Sequence, residues 1–244
     1  MKKQMVVLLI LVGMMTLLPG EEQERVRSAG GGIVMQLPEN VPLAALTFDD
    51  GPNPVTTARL LEGLALREVT ATFFVVGSRV EEHPELVKEM VQAGHQVGVH
   101  TYDHVMLTQL TPEVYQQQVE RARAQLEGLL GEKNYMLRPP YGLMDERLSQ
   151  LEQQPLIIWS VDPEDWKDRN TQRVVEEVLA KVEDGAVILL HDIYEESVDA
   201  ALSIVDEMLS RGYCFVTVEQ LATLRGIELK PGQRYTEFPP SGEE

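Results

Sequence analysis

The stretch ALTFDDGPNP, residues 45–54, joins an apolar run to two adjacent carboxylates and then to a turn sequence. Asp-Gly followed by Pro is ordinary turn chemistry, so the preceding run LAALTF is predicted to be a buried strand. Successive side chains at a strand end point in different directions, so Asp49 and Asp50 can take two different roles. Whether this turn is a surface feature or part of a site depends on the strands around it.

Short apolar runs alternate with longer amphipathic stretches along the chain. We predict strands in LAALTF, ATFFVVG, QVGVH, YMLRPPYG, LIIWSV, AVILLHD and YCFVTV, and helices over residues 56–66, 84–93, 112–130, 145–151, 171–182 and 195–209. Such alternation predicts an α/β fold with a parallel sheet and crossover helices. About seven β/α units favour a single distorted (β/α)7 TIM-like barrel. An open doubly wound sheet is the alternative, although no G-x-G-x-x-G loop follows any strand.

The two ends of the chain differ from this pattern. Lys2 and Lys3 precede an apolar run over residues 5–18, which predicts an export signal. No clear small-x-small cleavage site follows Leu18, so residues 1–20 are predicted to be a signal peptide or a retained membrane anchor. We expect a linker over residues 21–40, the folded domain over residues 41–230 and a flexible tail over residues 231–244. The protein is accordingly expected on the extracellular face of the cell, secreted or membrane-anchored.

Charge and cysteine content argue against nucleic-acid binding and exclude an intramolecular disulfide. The 244 residues carry 21 Lys and Arg against 39 Asp and Glu, a formal net charge of −18, with no basic stripe that could follow a phosphate backbone. Nucleic acid is therefore not an expected partner, and no protein partner is indicated. Cys214 is the only cysteine and cannot form an intramolecular disulfide, so we predict that it is a small core residue.

Chemically reactive residues recur at the ends of the predicted strands, where the active sites of β/α barrels lie. These residues are Asp49, Asp50, His100, His104, Arg138, Asp162, Asp165 and His191. In HTYDH, two imidazoles four residues apart can share one face of a helical turn. With a carboxylate from elsewhere they would complete a three-ligand metal site that leaves an open position for water. His83 and His95 precede other elements and are expected to be structural or exposed.

Five ordered motifs resemble those of the polysaccharide deacetylases, the NodB-like group of carbohydrate esterase family 4. They are TFDDGP at residues 47–52, HTYDH at 100–104, RPPYG at 138–142, DPEDW at 162–166 and LLHD at 189–192. The resemblance extends over residues 41–225, and five motifs in order are far more specific than any one of them. It implies the NodB-homology fold, a distorted barrel of the predicted kind, with residues 41–230 as the catalytic domain.

The resemblance also implies a metal site. Asp50, His100 and His104 would bind a divalent metal, Zn²⁺ first and Co²⁺, Mn²⁺ or Ni²⁺ as alternatives. The metal would lower the pKa of water and polarise it for attack on an amide carbonyl. Asp49 would be the general base, and Arg138 would favour its charged form and fix its orientation.

The remaining roles that the resemblance implies concern the leaving group and the sugar. His191 would be the general acid, held protonated by Asp165. The Tyr141 N–H would stabilise the oxyanion. The Tyr141 ring and Trp166 would form aromatic walls for the sugar, while Leu189 would line the acetyl pocket. Asp162 and Asp192 are expected only to cap a turn and to brace the loop after His191.

By this resemblance the protein would be an exported, metal-dependent hydrolase of linear amide bonds that removes N-acetyl groups from an aminosugar polymer and releases acetate. Peptidoglycan is the first choice of polymer and chito-oligosaccharide the second. The choice between N-acetylglucosamine and N-acetylmuramic acid stays open. Two other hypotheses are a small-molecule amide hydrolase on the same barrel and a catalytically silent cell-wall-binding module. A base and an acid around one metal site argue against the silent module.

Overall fold

The computed structural model describes residues 41–108, 110–131 and 134–240 of the chain. Its strands are β1 Leu43–Asp49, β2 Thr72–Val75, β3 Gln96–Val99, β4 Leu156–Ile157, β5 Ala186–His191, β6 Cys214–Phe215 and β7 Arg234–Tyr235. Every residue of β1 is buried, as expected for the central strand of a parallel sheet that is covered on both faces.

The helices are α1 Thr56–Ala65, α2 Gly77–Glu82, α3 Pro84–Gln92, α4 Pro112–Tyr115, α5 Arg121–Leu130, α6 Glu146–Leu151, α7 Asp165–Asp168, α8 Thr171–Lys181, α9 Glu195–Ser210 and α10 Val218–Leu224. A π-helical turn over Gln116–Glu120 joins α4 to α5, so the helix predicted over residues 112–130 is continuous but changes pitch. The short helices α2, α7 and α10 were not predicted, and α7 later proves to carry part of the site.

Parallel pairing runs around the molecule from strand to strand. The order β3–β2–β1–β5 forms the main sheet, and β6 pairs with the first residues of β1. Isolated parallel bridges at Val99–Leu137, Leu137–Leu156 and Val161–Ile188 connect β3 to the β4 segment and that segment back to β5. All seven predicted strand segments pair in parallel around one core, and β7 adds a further parallel pair beside β4. The predicted distorted (β/α)7 barrel is therefore confirmed.

The C-terminal segment corrects one prediction. Residues 231–240 do not form a loose tail, because β7 pairs in parallel with β4 and the Phe238 side chain is fully buried. Phe238 also donates its N–H to the carbonyl of Gly185 at 2.8 Å, close beside β5. An apolar ring in a polar stretch closes this side of the barrel. Residues 241–244 lie outside the described residues.

The predictions for residues 1–40, an export segment followed by a linker, also lie outside the described residues. Within the part of the chain that the structure describes, no helix is long and apolar enough to cross a membrane. Cys214 is partly buried at the start of β6, so the prediction that it is a core residue holds only in part. Burial raises the pKa of its thiol, so the thiol is not activated as a nucleophile.

Candidate active site

Strand register brings the predicted residues to one end of the barrel. Asp49 and His191 are the last residues of β1 and β5 and are paired partners in the parallel ladder. His100 follows β3 directly, and Arg138 follows the bridging residue Leu137. Because parallel strands all end on the same face, these groups converge there, as the sequence predicted.

Three potential metal ligands lie close together at this face. The Asp50 Oδ1 atom is 3.5 Å from His100 Nε2 and 3.2 Å from His104 Nε2. One ligand atom from each residue lies within 4.8 Å of the other two. Among the described residues, this is the cluster of His, Cys, Asp and Glu side chains that can hold a metal ion. We call Asp50, His100 and His104 the metal triad.

The chemistry of the metal triad fits a cation. His100 Nδ1 lies 2.7 Å from the Arg138 carbonyl oxygen, so Nδ1 carries the proton and Nε2 presents a lone pair. Burial lowers the pKa of His100 to about 3, which keeps the ring neutral. The Asp50 Oδ1 atom is buried and has no hydrogen-bond partner among the described residues. The lone pair of His100 Nε2 and the orphaned carboxylate oxygen, with His104 Nε2 beside them, form a set of ligands that a divalent ion satisfies.

The loop after β3 brings the two histidines together in a way that the sequence did not predict. The HTYDH segment is not a helical turn: it has no helical residues, and Thr101 and His104 have positive φ of 64° and 54°. The Thr101 hydroxyl accepts a hydrogen bond from the Val105 N–H at 3.3 Å, which closes the loop. Asp50 also has a positive φ of 75°. Such strained backbone is typical of functional sites that the surrounding fold holds in place.

Asp49 lies beside the metal triad but bonds to a different partner. Its Oδ1 accepts a hydrogen bond from Arg138 Nη1 at 2.7 Å, and its Oδ2 lies 3.6 Å from His100 Nε2. Burial raises the pKa of the Asp49 carboxyl above its usual range, while Arg138 opposes that shift in part. Arg138 therefore orients the carboxylate as expected. Desolvation has a larger effect on the pKa of Asp49 than the charge of Arg138, so Asp49 is a stronger base than an exposed carboxylate.

Arg138 is itself held by groups that sequence reasoning missed. Its side chain is fully buried and donates to the carbonyls of Ile157 and Ile158 and to the Thr47 hydroxyl. The Phe74 ring lies under its guanidinium, with Cζ 4.1 Å from the ring centroid. A hydroxyl two residues before Asp49 in an otherwise apolar strand was the available signal for Thr47.

His191 and Asp165 form the second half of the site. The Asp165 carboxylate accepts from the His191 N–H and lies next to ring Nδ1, both at 2.8 Å. Burial disfavours the charged ring, yet the carboxylates of Asp165, Asp49 and Asp50 outweigh it and raise the pKa of His191 to about 9. The ring is therefore protonated at neutral pH. We call Asp165 and His191 the acid pair.

The three predicted substrate contacts have different environments. Prolines at 139 and 140 carry no N–H, and the Tyr141 N–H donates to no acceptor among the described residues. The Tyr141 side chain is 59% exposed and its ring lies 5.0 Å from that of His104. Trp166, in α7, is 48% exposed, whereas Leu189 is buried on the same face of β5 as His191. All three adjoin the strand ends.

The remaining residues that the sequence analysis discussed, Asp162, Asp192, His83 and His95, have structural contacts. Asp162 caps its turn through the Glu164 N–H at 2.8 Å, as expected. Asp192 braces the turn after β1 instead of its own loop: it accepts from the Thr57 hydroxyl, and its carboxylate packs against Gly51, leaving no room for a Cβ. His95 is buried and accepts from the Ala71 N–H, and His83 ends α2.

Fold and site together define a distorted (β/α)7 barrel with an Asp–His–His cation site at the carboxyl ends of its strands. A family model described as polysaccharide deacetylase matches residues 37–155 of the chain. A peptidoglycan-N-acetylglucosamine deacetylase of Bacillus cereus is 31% identical over 199 residues, 78% of this chain and 93% of that protein. The chain therefore belongs to the polysaccharide deacetylase family.

Two further relatives differ in how much of them the chain covers. Peptidoglycan-N-acetylmuramic acid deacetylase PdaC of Bacillus subtilis is 41% identical over 186 residues, 76% of this chain. The chain spans only 40% of that relative's length. The solved structure of a family 4 acetyl xylan esterase from Clostridium thermocellum, in complex with a cobalt ion, is 31% identical with a TM-score of 0.77, covering 81% of this chain and 99% of that one.

Proposed function

We propose that this protein is a metal-dependent deacetylase that hydrolyses the N-acetyl groups of an aminosugar polymer and releases acetate. The observation that carries the proposal is the pairing of a buried base with a protonated acid. Asp49 and His191 are register partners at adjoining strand ends, with the metal triad beside them. A site that only binds glycan has no need for a base and an acid around a cation, which argues against a catalytically silent module.

The first half of the reaction uses Asp49. A divalent cation bound by the metal triad would supply a Lewis acid, which would lower the pKa of water and polarise the amide carbonyl. Asp49 Oδ2 takes the proton from the attacking water, while Arg138 holds Oδ1 and so fixes the free oxygen in position. The pKa that burial raises in Asp49 makes this proton transfer more favourable.

The second half of the reaction uses Tyr141 and His191. The free Tyr141 N–H donates to the carbonyl oxygen as negative charge develops on it. His191, held through Nδ1 by Asp165, gives its Nε2 proton to the sugar nitrogen as the C–N bond breaks. The proton taken by Asp49 and the proton given by His191 balance the reaction, and the products are acetate and a free amine.

For the metal we propose Zn²⁺, with Co²⁺, Mn²⁺ or Ni²⁺ as substitutes. Two imidazoles and one carboxylate form a donor set that suits Zn²⁺ and leaves a position open for water. The acetyl xylan esterase relative, which is described with a cobalt ion, supports a metal of this borderline class.

For the substrate we propose peptidoglycan, with chito-oligosaccharide as the second candidate. The names of the Bacillus cereus and Bacillus subtilis relatives, which refer to N-acetylglucosamine and N-acetylmuramic acid of peptidoglycan, support this choice. Exposed Trp166 and Tyr141 beside the site offer faces for sugar rings. Lys2, Lys3 and the apolar run over residues 5–18 support export or membrane anchoring, where the protein would meet the cell wall.

The test is mass spectrometry of acetate released from purified peptidoglycan and from chitotetraose by the zinc-loaded protein. Asp49→Asn should abolish acetate release while bound zinc, measured by elemental analysis, stays the same. Asp103→Asn is the matched control, because Asp103 lies between the two histidines of the triad but bonds to Gln118. The control should keep most of its activity.

Each outcome decides between the hypotheses. Acetate release that depends on Asp49 establishes the reaction, and the better substrate identifies the polymer. No release from either polymer, with zinc bound, would contradict the proposal and favour the small-amide or the binding-module hypothesis.

A further inference from the structure

A second cleft opens beside the acid pair. It has a volume of about 410 Å³ and lies between the turn after β1, the segment after β5 and the connection from α7 to α8. Val55, Arg169 and Tyr194 are among its lining residues. The Tyr194 and His191 ring centroids are 6.4 Å apart, so a polymer whose reacting sugar meets His191 would extend past this cleft.

Arg169 presents an uncommitted positive charge to the cleft. Its guanidinium stacks on the Tyr194 ring, with Cζ 4.2 Å from the ring centroid, and the side chain is exposed. Within the described residues it forms neither an ion pair nor a hydrogen bond. Its two neighbouring cations are both committed, since Lys167 pairs with Glu164 and Arg173 with Asp168 and Glu177. In a chain of net charge −18, an unpaired arginine whose guanidinium lies over an aromatic ring is a specific feature.

The N-terminus of α9 faces the same cleft. This 16-residue helix begins at Glu195 and has Tyr194 as its N-cap, with no side-chain cap. The N–H groups of Glu195 and Glu196, which also line the cleft, donate to no acceptor among the described residues. Free N–H groups and the positive end of the helix dipole favour an anion. Arg169 and the helix N-terminus therefore both attract an anion to this cleft, against the carboxylates of Glu195 and Glu196 in the same turn.

We propose that the Arg169–Tyr194 cleft is a subsite for a carboxylate of the polymer, next to the sugar that is deacetylated. This proposal rests on the proposed function and narrows its substrate class to acidic aminosugar polymers. The planar guanidinium offers two parallel N–H donors to a carboxylate, and the Tyr194 ring holds it in place. Val55, which is 64% exposed, offers an apolar contact for a neighbouring methyl group.

Two groups of peptidoglycan combine a carboxylate with a methyl-bearing carbon. One is the free lactyl ether of muramic acid in strands without peptide, and the other is an alanine carboxylate of a stem peptide. In strands that carry peptide the lactyl carboxyl is itself bound in an amide and has no charge. The two sources can therefore be separated by the choice of strand.

Two acidic side chains at the cleft weaken its attraction for a carboxylate. Glu195 and Glu196 are exposed and lie in the first turn of α9, where they repel an incoming carboxylate. Replacing both with Gln should raise the preference for acidic over neutral polymer. The same change would lower the preference if the cleft instead received a cationic group.

The experiment compares kcat/KM on peptide-free strands, peptide-bearing strands and neutral chitotetraose. Arg169→Gln should lower the ratio of the acidic to the neutral substrate about tenfold, the loss expected for one hydrogen-bonded charge pair. Lys167→Gln is the matched control, because it removes the same charge two residues away from a side chain already paired with Glu164. It should change the ratio less than about twofold.

The strand on which the ratio falls identifies the source of the carboxylate, lactyl or peptide. An unchanged ratio in Arg169→Gln, or an equal fall in Lys167→Gln, would overturn the subsite. A binding measurement separates this failure from failure of the proposed function, because it needs no turnover: NMR titration with N-acetylmuramic acid for the lactyl source and with N-acetyl-D-alanine for the peptide source, each against N-acetylglucosamine. The wild-type chain should prefer the acidic ligand of the source identified by the kinetics, and Arg169→Gln should not. A wild-type chain that shows this preference but releases no acetate would refute the deacetylase function alone, whereas no preference in either assay would refute the subsite.

Discussion

The metal triad and the acid pair lie on neighbouring strand ends but are built on opposite principles. In the triad the lone pair of His100 Nε2 faces the buried Asp50 Oδ1, an acceptor that has no partner among the described residues. In the acid pair donors meet acceptors, since both Asp165 oxygens receive N–H groups of His191, and ring Nε2 is left without a partner among the described residues. The triad therefore needs a cation to pair its ligand atoms, whereas the acid pair is held by its own hydrogen bonds.

The two halves of the site depend on the fold in different ways. Acceptors that face one another repel, so the fold has to hold them together, and left-handed residues at both Asp50 and His104 are part of that constraint. The acid pair needs no such strain because its hydrogen bonds are favourable by themselves. Changes to the triad should therefore act through bound metal, and changes to the acid pair through proton transfer.

The largest expected effect comes from breaking the triad. His104→Ala removes the most exposed of its histidines, so folding should be preserved while bound metal is lost. Activity should fall at least about 10³-fold, since the Lewis acid contributes several kcal/mol. Elemental analysis measures the metal, and zinc should raise the Tm of the wild type but not of the variant. A His104→Ala protein that keeps stoichiometric zinc would contradict the assignment of the triad.

Breaking the acid pair should leave the metal in place. His191→Asn removes the proton donor, and kcat should fall by about 10²- to 10⁴-fold, the range for one positioned acid or base. Zinc content and the zinc-dependent rise in Tm should match those of the wild type. If His191→Asn also loses zinc, the two halves are not separate units and the comparison fails.

Much of this division could be predicted from the sequence. Asp49, Asp50, His100 and His191 each end or follow an apolar run, and the rule that parallel strands end on one face brings them together. Local patterns also gave α1, α3, α8 and α9 to within about two residues. These elements share strong periodicity and long-range burial, so their signal lies in the chain itself.

What the sequence could not give depends on tertiary contacts. The predicted strand at YMLRPPYG is reduced to the single bridging residue Leu137, because the prolines that follow cannot donate to a ladder. The left-handed backbone at Thr101 and His104 could not be predicted, because neither residue is a glycine. The partners of Arg138 come from Thr47 and from two carbonyls about 20 residues away, which no local pattern connects.

The metal triad and the acid pair should also differ in pH dependence, because the acid pair titrates in the alkaline range. The pKa of His191 is raised to about 9 by nearby carboxylates, so the protonated acid is present below that pH and is lost above it. Activity should fall with this alkaline limb. Asp165→Asn removes the hydrogen-bonded carboxylate and should move the limb to lower pH. NMR titration of the His191 ring in the metal-free protein measures the same pKa directly.

The same shift affects stability, with a sign that can be checked. The folded-state pKa of His191 lies above its unfolded value, so its stabilisation is complete below the unfolded pKa of about 6.5 and is lost as the pH rises through about 9. Wild-type protein should therefore lose more unfolding free energy between pH 7 and pH 10 than Asp165→Asn does. Equal losses in the two proteins would show that the pair carries no such coupling.

A weaker effect is expected from a change at Thr57, which holds the turn that follows Asp50. The Thr57 hydroxyl donates to Asp192 and accepts from the Asn53 N–H, so it ties the turn after Asp50 to the end of β5. Thr57→Val keeps the shape but leaves the buried Asp192 carboxylate and the half-buried Asn53 N–H without this partner, which should cost about 1–3 kcal/mol of unfolding free energy. Thr171→Val is the matched control, since its hydroxyl donates to an exposed carbonyl. It should cost less than about 0.5 kcal/mol.

The pH dependence of this loss identifies its cause. Burial raises the pKa of Asp192 to about 7, so the stability that Asp192 contributes is complete below pH 3.8 and is lost as the pH rises through about 7. The Thr57 hydroxyl favours the charged form, and its removal should therefore be more harmful at pH 8 than at pH 5.5. Urea unfolding of both variants at the two pH values measures this difference. A pH-independent loss would mean that Thr57 acts through packing alone and that the turn carrying Asp50 is not held by the charge of Asp192.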